Sequence, residues 1–329
     1  MFIHPINKQE TIEKMNRYGA SSTPFLFIIS YDGESNIILK DSEIDPEFIQ
    51  YEFQGRGNLK SQTITNRKIE LAKSPIDYDS YLIGFNKVQA SLRRGDTFLC
   101  NLTAATNIKC NLSTREIFER SKAKYRLWVK GLFTLFSPEI FIQVKDGTIH
   151  SYPMKGTIDA SIENAREVIL NNVKESQEHA TIVDLIRNDL SQIAHPVWVE
   201  RYRYIDELET TSGKLLQVSS QICGKLPESF HNNIGTEIFK LLPAGSITGA
   251  PKPSTIKLIE DAEGYDRGFY TGVCGYFDGQ NIDSAVMIRF IEEQKDNSLL
   301  FKSGGGITSE SIAQEEYNEL IQKVYVAIN

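Results

Sequence analysis

Residues 241–252 read Leu-Leu-Pro-Ala-Gly-Ser-Ile-Thr-Gly-Ala-Pro-Lys and lead directly into an apolar periodic run, Ile256, Leu258 and Ile259. Gly permits close backbone approach and positive φ, and a Pro just before a helix fits its first turn. The stretch is therefore a sharp loop that ends at a helix start. One reading is an anion site, with backbone N–H groups and the hydroxyls of Ser246 and Thr248 aimed at a ligand near the helix N-terminus. The other is an ordinary tight connection between two helices. Spacing alone leaves both open.

The rest of the chain reads as antiparallel hairpins with helices between them. Residues 25–31 are a buried strand, Asp32-Gly33 a turn and 36–39 the return strand. Residues 41–80 are weakly patterned. Leu82, Phe85, Val88 and Leu92 predict a helix over 81–94, stopped by Gly95-Asp96, and a strand follows over 98–106. Strands over 133–136 and 140–144 flank Ser137-Pro138-Glu139. Asp146-Gly147 turns the chain into a return strand over 149–152, so Glu139 and Lys155 fall at the ends of neighbouring strands. Helices are expected over 162–174 and 178–190, and strands over 197–204 and 215–226. Beyond the loop come a helix near 254–260, strands over 270–277 and 281–291, and a last helix from about 311 to 326. Long hairpins with interspersed helices indicate an α+β class. The expected division is a trimmed N-terminal section, 1–80, packed on a continuous unit, 81–329.

Composition narrows the functional class. A chain of 329 residues can bury a large core. Its 40% hydrophobic and 24% charged content fit a soluble globular protein. A net charge of −7 argues against nucleic acid as a partner. Cys100, Cys110, Cys223 and Cys274 form no CxxC pair, which suits reduced thiols in the cytoplasm. Residues 1–17 lack a signal-peptide core, and no apolar run is long enough for a membrane span.

Several residues are candidates for chemistry. Glu175 and Glu178 are three apart, as are Glu316 and Glu319, so on helices each pair shares a face. Four converging carboxylates would suit a hard divalent cation such as Mg²⁺; separately, each pair is an ordinary solvated helix face. Lys155, next to Met154, is either a surface lysine or a desolvated amine able to act as a nucleophile. Glu139, with Phe136, Ile140 and Phe141 nearby, is either a loop-edge residue or a carboxyl raised in pKa to act as an acid. Arg289 interrupts an apolar strand and needs a carboxylate, from a ligand or from an internal Asp. Lys323 lies four residues after Glu319 and would point to the same place.

The loop resembles the GSITGAPK signature of the chorismate-utilising enzymes, which include the first components of anthranilate synthase and aminodeoxychorismate synthase, isochorismate synthase and salicylate synthase. Ser137-Pro138-Glu139, Pro153-Met154-Lys155-Gly156-Thr157, Glu178-His179 with 182–190, and Ser303-Gly304-Gly305-Gly306-Ile307 occur in that family's order, covering roughly residue 82 to the end. The resemblance implies two large antiparallel β-sheets packed face to face, with helices on the outside. It implies Mg²⁺ held directly by Glu178 and Glu319, with Glu175 and Glu316 as an outer pair. Glu139 becomes the general acid near the departing 4-hydroxyl. Arg289 and Lys323 bind chorismate carboxylates; Thr248, Tyr270 and the backbone of Gly304, Gly305 and Gly306 are further substrate contacts. Lys155 resembles the lysine of the aminodeoxychorismate branch, which attacks C2, expels the 4-hydroxyl and is displaced when ammonia attacks C4. Anthranilate-forming relatives have Ala there. That branch implies a separate class I glutamine amidotransferase subunit as partner.

There are departures from the pattern. Leu99 stands where the family has Gln, or Lys in water-adding members, which counts against isochorismate and salicylate synthesis. Gln217 stands where a His usually faces the leaving hydroxyl, and Gln is no proton donor at useful pKa. The N-terminal section is shorter than in relatives with a regulatory amino-acid site, so feedback through it is not expected. Rival readings are anthranilate synthase component I and a non-catalytic chorismate-binding subunit.

Overall fold

A computed structural model describes residues 4–59, 68–210 and 213–326. Residues 1–3, 60–67, 211–212 and 327–329 lie outside it, the second group falling in the weakly patterned 41–80 stretch. The described chain forms two nine-stranded sheets whose pairings are antiparallel throughout.

The first sheet runs, in spatial order, Met154–Asp159, Gly213–Lys225, Thr148–Ser151, Ile140–Lys145, Ile282–Val286, Val273–Phe277, Phe25–Ile29 and Asn36–Lys40, with Val197–Thr210 paired on Gly213–Lys225. The second runs Gly249–Ala250, Leu99–Cys110, Leu299–Ile307, Phe290–Glu293, Phe133–Ser137, Tyr125–Val129, Ile49–Phe53 and Arg56–Gly57, with Leu71–Ser74 paired on Leu99–Cys110. Residues 25–53 thus contribute strands to both sheets.

The uninterrupted apolar run Phe25–Ile29 is buried on both faces, which is why it shows no alternation. Phe25, Phe27 and Ile29 pack with Met15, Ile234 and Ile238 under outer helices. Leu26 and Ile28 point the other way, into a core shared with Tyr51, Leu127 and Leu135 of the second sheet. The second sheet's outer face is covered by the helices Tyr78–Arg94, Lys252–Glu263 and Ala313–Gln322, through Phe85, Val88, Ile259 and Leu320. The order helices, sheet, sheet, helices is the one expected.

Several boundaries differ from the sequence reading, among them the last helix, which ends at Gln322 rather than 326, and an N-terminal helix, Lys8–Ala20, that was not expected. The expected helix over 162–174 breaks at Asn172 into Ala165–Asn171 and Val173–Leu190, because the Asn172 side chain accepts a hydrogen bond from Glu175 N and caps the second helix. This places Glu175 and Glu178 on one helix. The expected strand over 281–291 is two strands in different sheets, Ile282–Val286 and Phe290–Glu293. At the crossover Arg289 adopts φ of 52°, so it sits at a corner rather than inside a strand. The strand expected from residue 270 starts at Val273, and Tyr270 lies in the preceding turn.

Candidate active site

The Gly–Pro loop is held from several sides. Gly249 pairs with Cys100 at the sheet edge with φ of 120°, and a Cβ there would collide with the Leu99 carbonyl oxygen. Lys252 Nζ forms an ion pair with Asp189 Oδ2 at 2.8 Å and donates to Leu241 O at 2.9 Å. The buried Arg267 pairs with Glu263 at 2.6 Å and donates to Ile247 O and Asn101 O at 2.9 and 2.7 Å. Sequence reasoning missed this buried pair. Its signal was a Glu and an Arg four residues apart at a helix end, which alone is indistinguishable from a surface pair.

Both loop hydroxyls expected at an anion are occupied within the protein. Thr248 Oγ1 donates to Ala244 O at 2.9 Å and is fully buried. Ser246 Oγ donates to Glu139 Oε1 at 2.6 Å.

Beside this loop lies a cavity of about 320 Å³. Glu139, Lys155, Glu178, Ser246 and Gly306 line it, with Leu99, Ile140, Phe141, Met154, Ile182, Ile186 and Leu241 as apolar wall. Phe98, Lys174, Ser309 and Glu310 also border it. Burial pushes the Glu139 carboxyl above its usual range, against the pull of the Ser246 hydrogen bond and the charges of Arg289 and Lys323. That is the condition for a carboxylic acid to donate a proton near neutral pH.

Lys155 follows a different course from the desolvated amine expected. Burial does pull its ammonium down. Glu178 outweighs that, by charge and by a 2.8 Å ion pair, and Glu175 and Glu319 add to it, so the group is held above its usual value. The local backbone permits this contact: the edge strand Met154–Asp159 bulges between Met154 and Thr157, with Gly156 at φ of 83°.

The second carboxylate pair enters from the Ala313–Gln322 helix. Lys323 Nζ contacts Glu319 Oε1 at 2.6 Å and donates to Gly304 O at 2.8 Å. Gly305 faces this group: a Cβ there would lie 3.5 Å from Glu316 Oε2, 3.6 Å from Lys323 Nζ and 3.8 Å from Glu319 Oε1. Burial raises the Glu316 carboxyl, with repulsion from Glu319 adding to it. Glu319 is held low: burial acts upward, but Lys323, Lys155 and Arg289 prevail. Two lysines therefore stand among four carboxylates drawn from two distant helices.

All the donors in this group are carboxylate oxygens, the hard set that Mg²⁺ takes, and Glu175 Oε2 is buried without a hydrogen-bond partner. Among the described residues no three acidic, His or Cys side chains are close enough to share one ion. The residues fit a cation held by one or two carboxylates, with water and substrate completing the shell.

Other expected contacts are less direct. Arg289 has no ion pair among the described residues; it lies over the Tyr325 ring at 5.5 Å and acts electrostatically on Glu139 and Glu319. Tyr270 is buried, with its ring 5.9 Å from Phe290, and burial raises its hydroxyl. Gln217 stands opposite Thr157 in the first sheet. Gln217, Tyr270, Arg289, Lys323 and Thr248 lie outside the cavity lining, as do Glu175, Glu316, Glu319, Gly304 and Gly305. His179 is a packing residue, fully buried and bonded to Ser220 at 2.7 Å.

Comparisons with known proteins agree with this geometry. A family described as chorismate binding enzyme matches residues 40–329. A PabA-like protein of Haemophilus influenzae is 46% identical over 322 residues, 97% of both chains. Aminodeoxychorismate synthase component 1 of Salmonella typhimurium is 31% identical over 73% of this chain, which spans 55% of that protein. Anthranilate synthase component I of Streptococcus pneumoniae superposes with a TM-score of 0.65 at 25% identity, covering 77% of this chain and 58% of that one. An isochorismate synthase structure from Bacillus anthracis shares the fold, with a TM-score of 0.71 at 19% identity over 96% of this chain and 86% of that one. The sheet pair, the loop and the matching span agree: this chain belongs to the chorismate binding enzyme family.

Proposed function

We propose that the chain is an aminodeoxychorismate synthase component I, converting chorismate and ammonia to 4-amino-4-deoxychorismate. The observation that carries this reading is Lys155, which lines the cavity beside Glu178 and feels the charges of Glu175 and Glu319. An Ala there, as in anthranilate-forming relatives, would leave no amine to attack the ring. Leu99 gives the cavity an apolar wall where a water-adding enzyme needs a base. Similarity to anthranilate synthases is comparable in identity, 31% over 57% of this chain for that of Aquifex aeolicus, so Lys155 is the discriminating residue.

In this reaction the Lys155 amine forms a bond to C2, the ring double bonds shift, and the C4–O bond breaks. Its electron pair leaves with the oxygen, and Glu139 supplies the proton that releases water. Ammonia then bonds to C4, the double bonds shift back, and the C2–N pair returns to Lys155. An ammonium has no free electron pair, so Lys155 must first pass a proton to a base, and Glu178 Oε2, 2.8 Å away, is within reach to take it. Glu178 and Glu319 would hold Mg²⁺, with Glu175 and Glu316 behind them. When bound, the metal supplies positive charge that holds the ring carboxylate and polarises the substrate for loss of the 4-hydroxyl. A separate glutaminase subunit would supply the ammonia.

Incubation with chorismate, Mg²⁺ and an ammonium salt, followed by mass analysis, tests this reading. The expected product is 4-amino-4-deoxychorismate. Anthranilate would select the rival synthase, and unconsumed chorismate would select a non-catalytic subunit.

A further inference from the structure

The contact between Ser246 and Glu139 is fixed from both ends. On the loop side, Arg267 holds the Ile247 carbonyl, and Asn101 N donates to Thr248 O at 2.9 Å. On the acid side, Glu139 N donates to Ser137 Oγ at 3.1 Å and Glu139 O accepts from Val286 N at 3.1 Å. These bonds hold the two backbones in place, and the side chains meet across them at 2.6 Å.

A carboxylic acid carries its proton on one oxygen, and the other oxygen is the acceptor. A hydroxyl that donates to Oε1 makes Oε1 the acceptor and leaves Oε2 to bear the proton. We infer that Ser246 is a positioning residue that keeps the Glu139 proton on Oε2, the oxygen left free to serve the departing hydroxyl. The inference rests on the reading of Glu139 as the general acid. Without Ser246 the proton is shared between both oxygens, and part of the population presents a carbonyl oxygen to the leaving group. Once Oε2 has given its proton to the departing oxygen, the same hydrogen bond stabilises the carboxylate that remains. The other charged or titratable groups acting on Glu139 are Arg289 at the sheet corner, Lys323 at the end of the last helix, and Tyr270.

The experiment compares Ser246→Ala, Ser246→Thr and Glu139→Gln with the wild-type chain, measuring kcat and KM for chorismate with ammonium as a function of pH. Loss of a donor to the active acid should lower kcat in Ser246→Ala by about 10–100-fold, with KM changed no more than about twofold. The hydrogen bond favours the ionised form, so its removal raises the acid's pKa, and the alkaline limb of the kcat profile should move to higher pH. Ser246→Thr keeps the hydroxyl and should recover most of the rate. Wild-type kcat in Ser246→Ala, an unmoved alkaline limb, or a Thr variant no better than Ala would each overturn the inference. If Glu139→Gln is inactive while Ser246→Ala is normal, only the positioning role falls. If Glu139→Gln stays active, the general-acid reading falls and takes this one with it.

Discussion

At the scale of single residues, the site depends on charges that look ordinary in isolation. Glu175, Glu178, Glu316 and Glu319 read as two solvated helix faces. Only folding shows that they meet around Lys155 and Lys323. Lys155 was legible as a candidate through its motif, but its state was not, because the carboxylate that holds its proton lies on another element. Lys155→Ala should abolish aminodeoxychorismate formation, by at least about 100-fold, since no other group supplies the covalent route. Direct amination at C2 would remain open, so traces of an anthranilate-type product are expected by mass analysis. Full retention of aminodeoxychorismate formation would remove the nucleophile role. Glu178→Gln or Glu319→Gln should lower turnover by a similar factor of about 100, because each removes a charged oxygen donor from the proposed magnesium site. Near wild-type activity of either variant in the presence of a chelator would refute the magnesium assignment.

Elements decide where those residues stand, and here caps matter more than propensity. The Val173–Leu190 helix begins where Asn172 Oδ1 accepts from Glu175 N at 3.0 Å. Removing that acceptor in Asn172→Ala should cost about 1 kcal/mol of stability, read as a lower urea midpoint with an unchanged slope. An unmoved midpoint would mean that packing alone sets the helix start. The helix itself was legible from sequence, but the break at Asn172 was not, because apolar residues continue on both sides of it. The hairpins around Asp32-Gly33 and Asp146-Gly147 were legible because local turn chemistry fixes them. The handover between sheets at Arg289 was hidden within Ala285-Val286-Met287-Ile288, where apolar character runs through the corner without interruption. The placing of Leu99–Cys110 beside Leu299–Ile307 joins residues about 200 positions apart, and no local signal encodes it.

Across the whole molecule, the open question for the proposed reaction is where its nitrogen comes from. A glutaminase of class I needs an exposed, activated cysteine in a Gly-x-Cys-x-Gly elbow, and no such motif occurs in the sequence. Cys100, Cys223 and Cys274 are buried in strands, and burial raises each thiol, Cys100 to about 12. Cys223 has a His beside it, with His150 Nδ1 at 3.2 Å from its Sγ. Sequence spacing gave no sign of that contact. It does not activate the thiol: burial and then Glu200 push Cys223 up, while burial and then Lys145 push His150 down, so both groups favour their neutral forms. Cys110, at the end of Leu99–Cys110, lies in no elbow. The chain alone should therefore consume chorismate with ammonium salts and fail with glutamine. Rates should rise with pH as the free base of ammonia becomes available, until the alkaline limb set by Glu139 is reached. Addition of a class I glutaminase subunit from the same source should confer glutamine-dependent turnover, and the comparison is read as product formed from each nitrogen donor with and without that subunit. Efficient use of glutamine by the purified chain would defeat the two-component reading. Ammonium-dependent turnover that no glutaminase subunit can replace with glutamine would leave the chain as an ammonia-specific synthase.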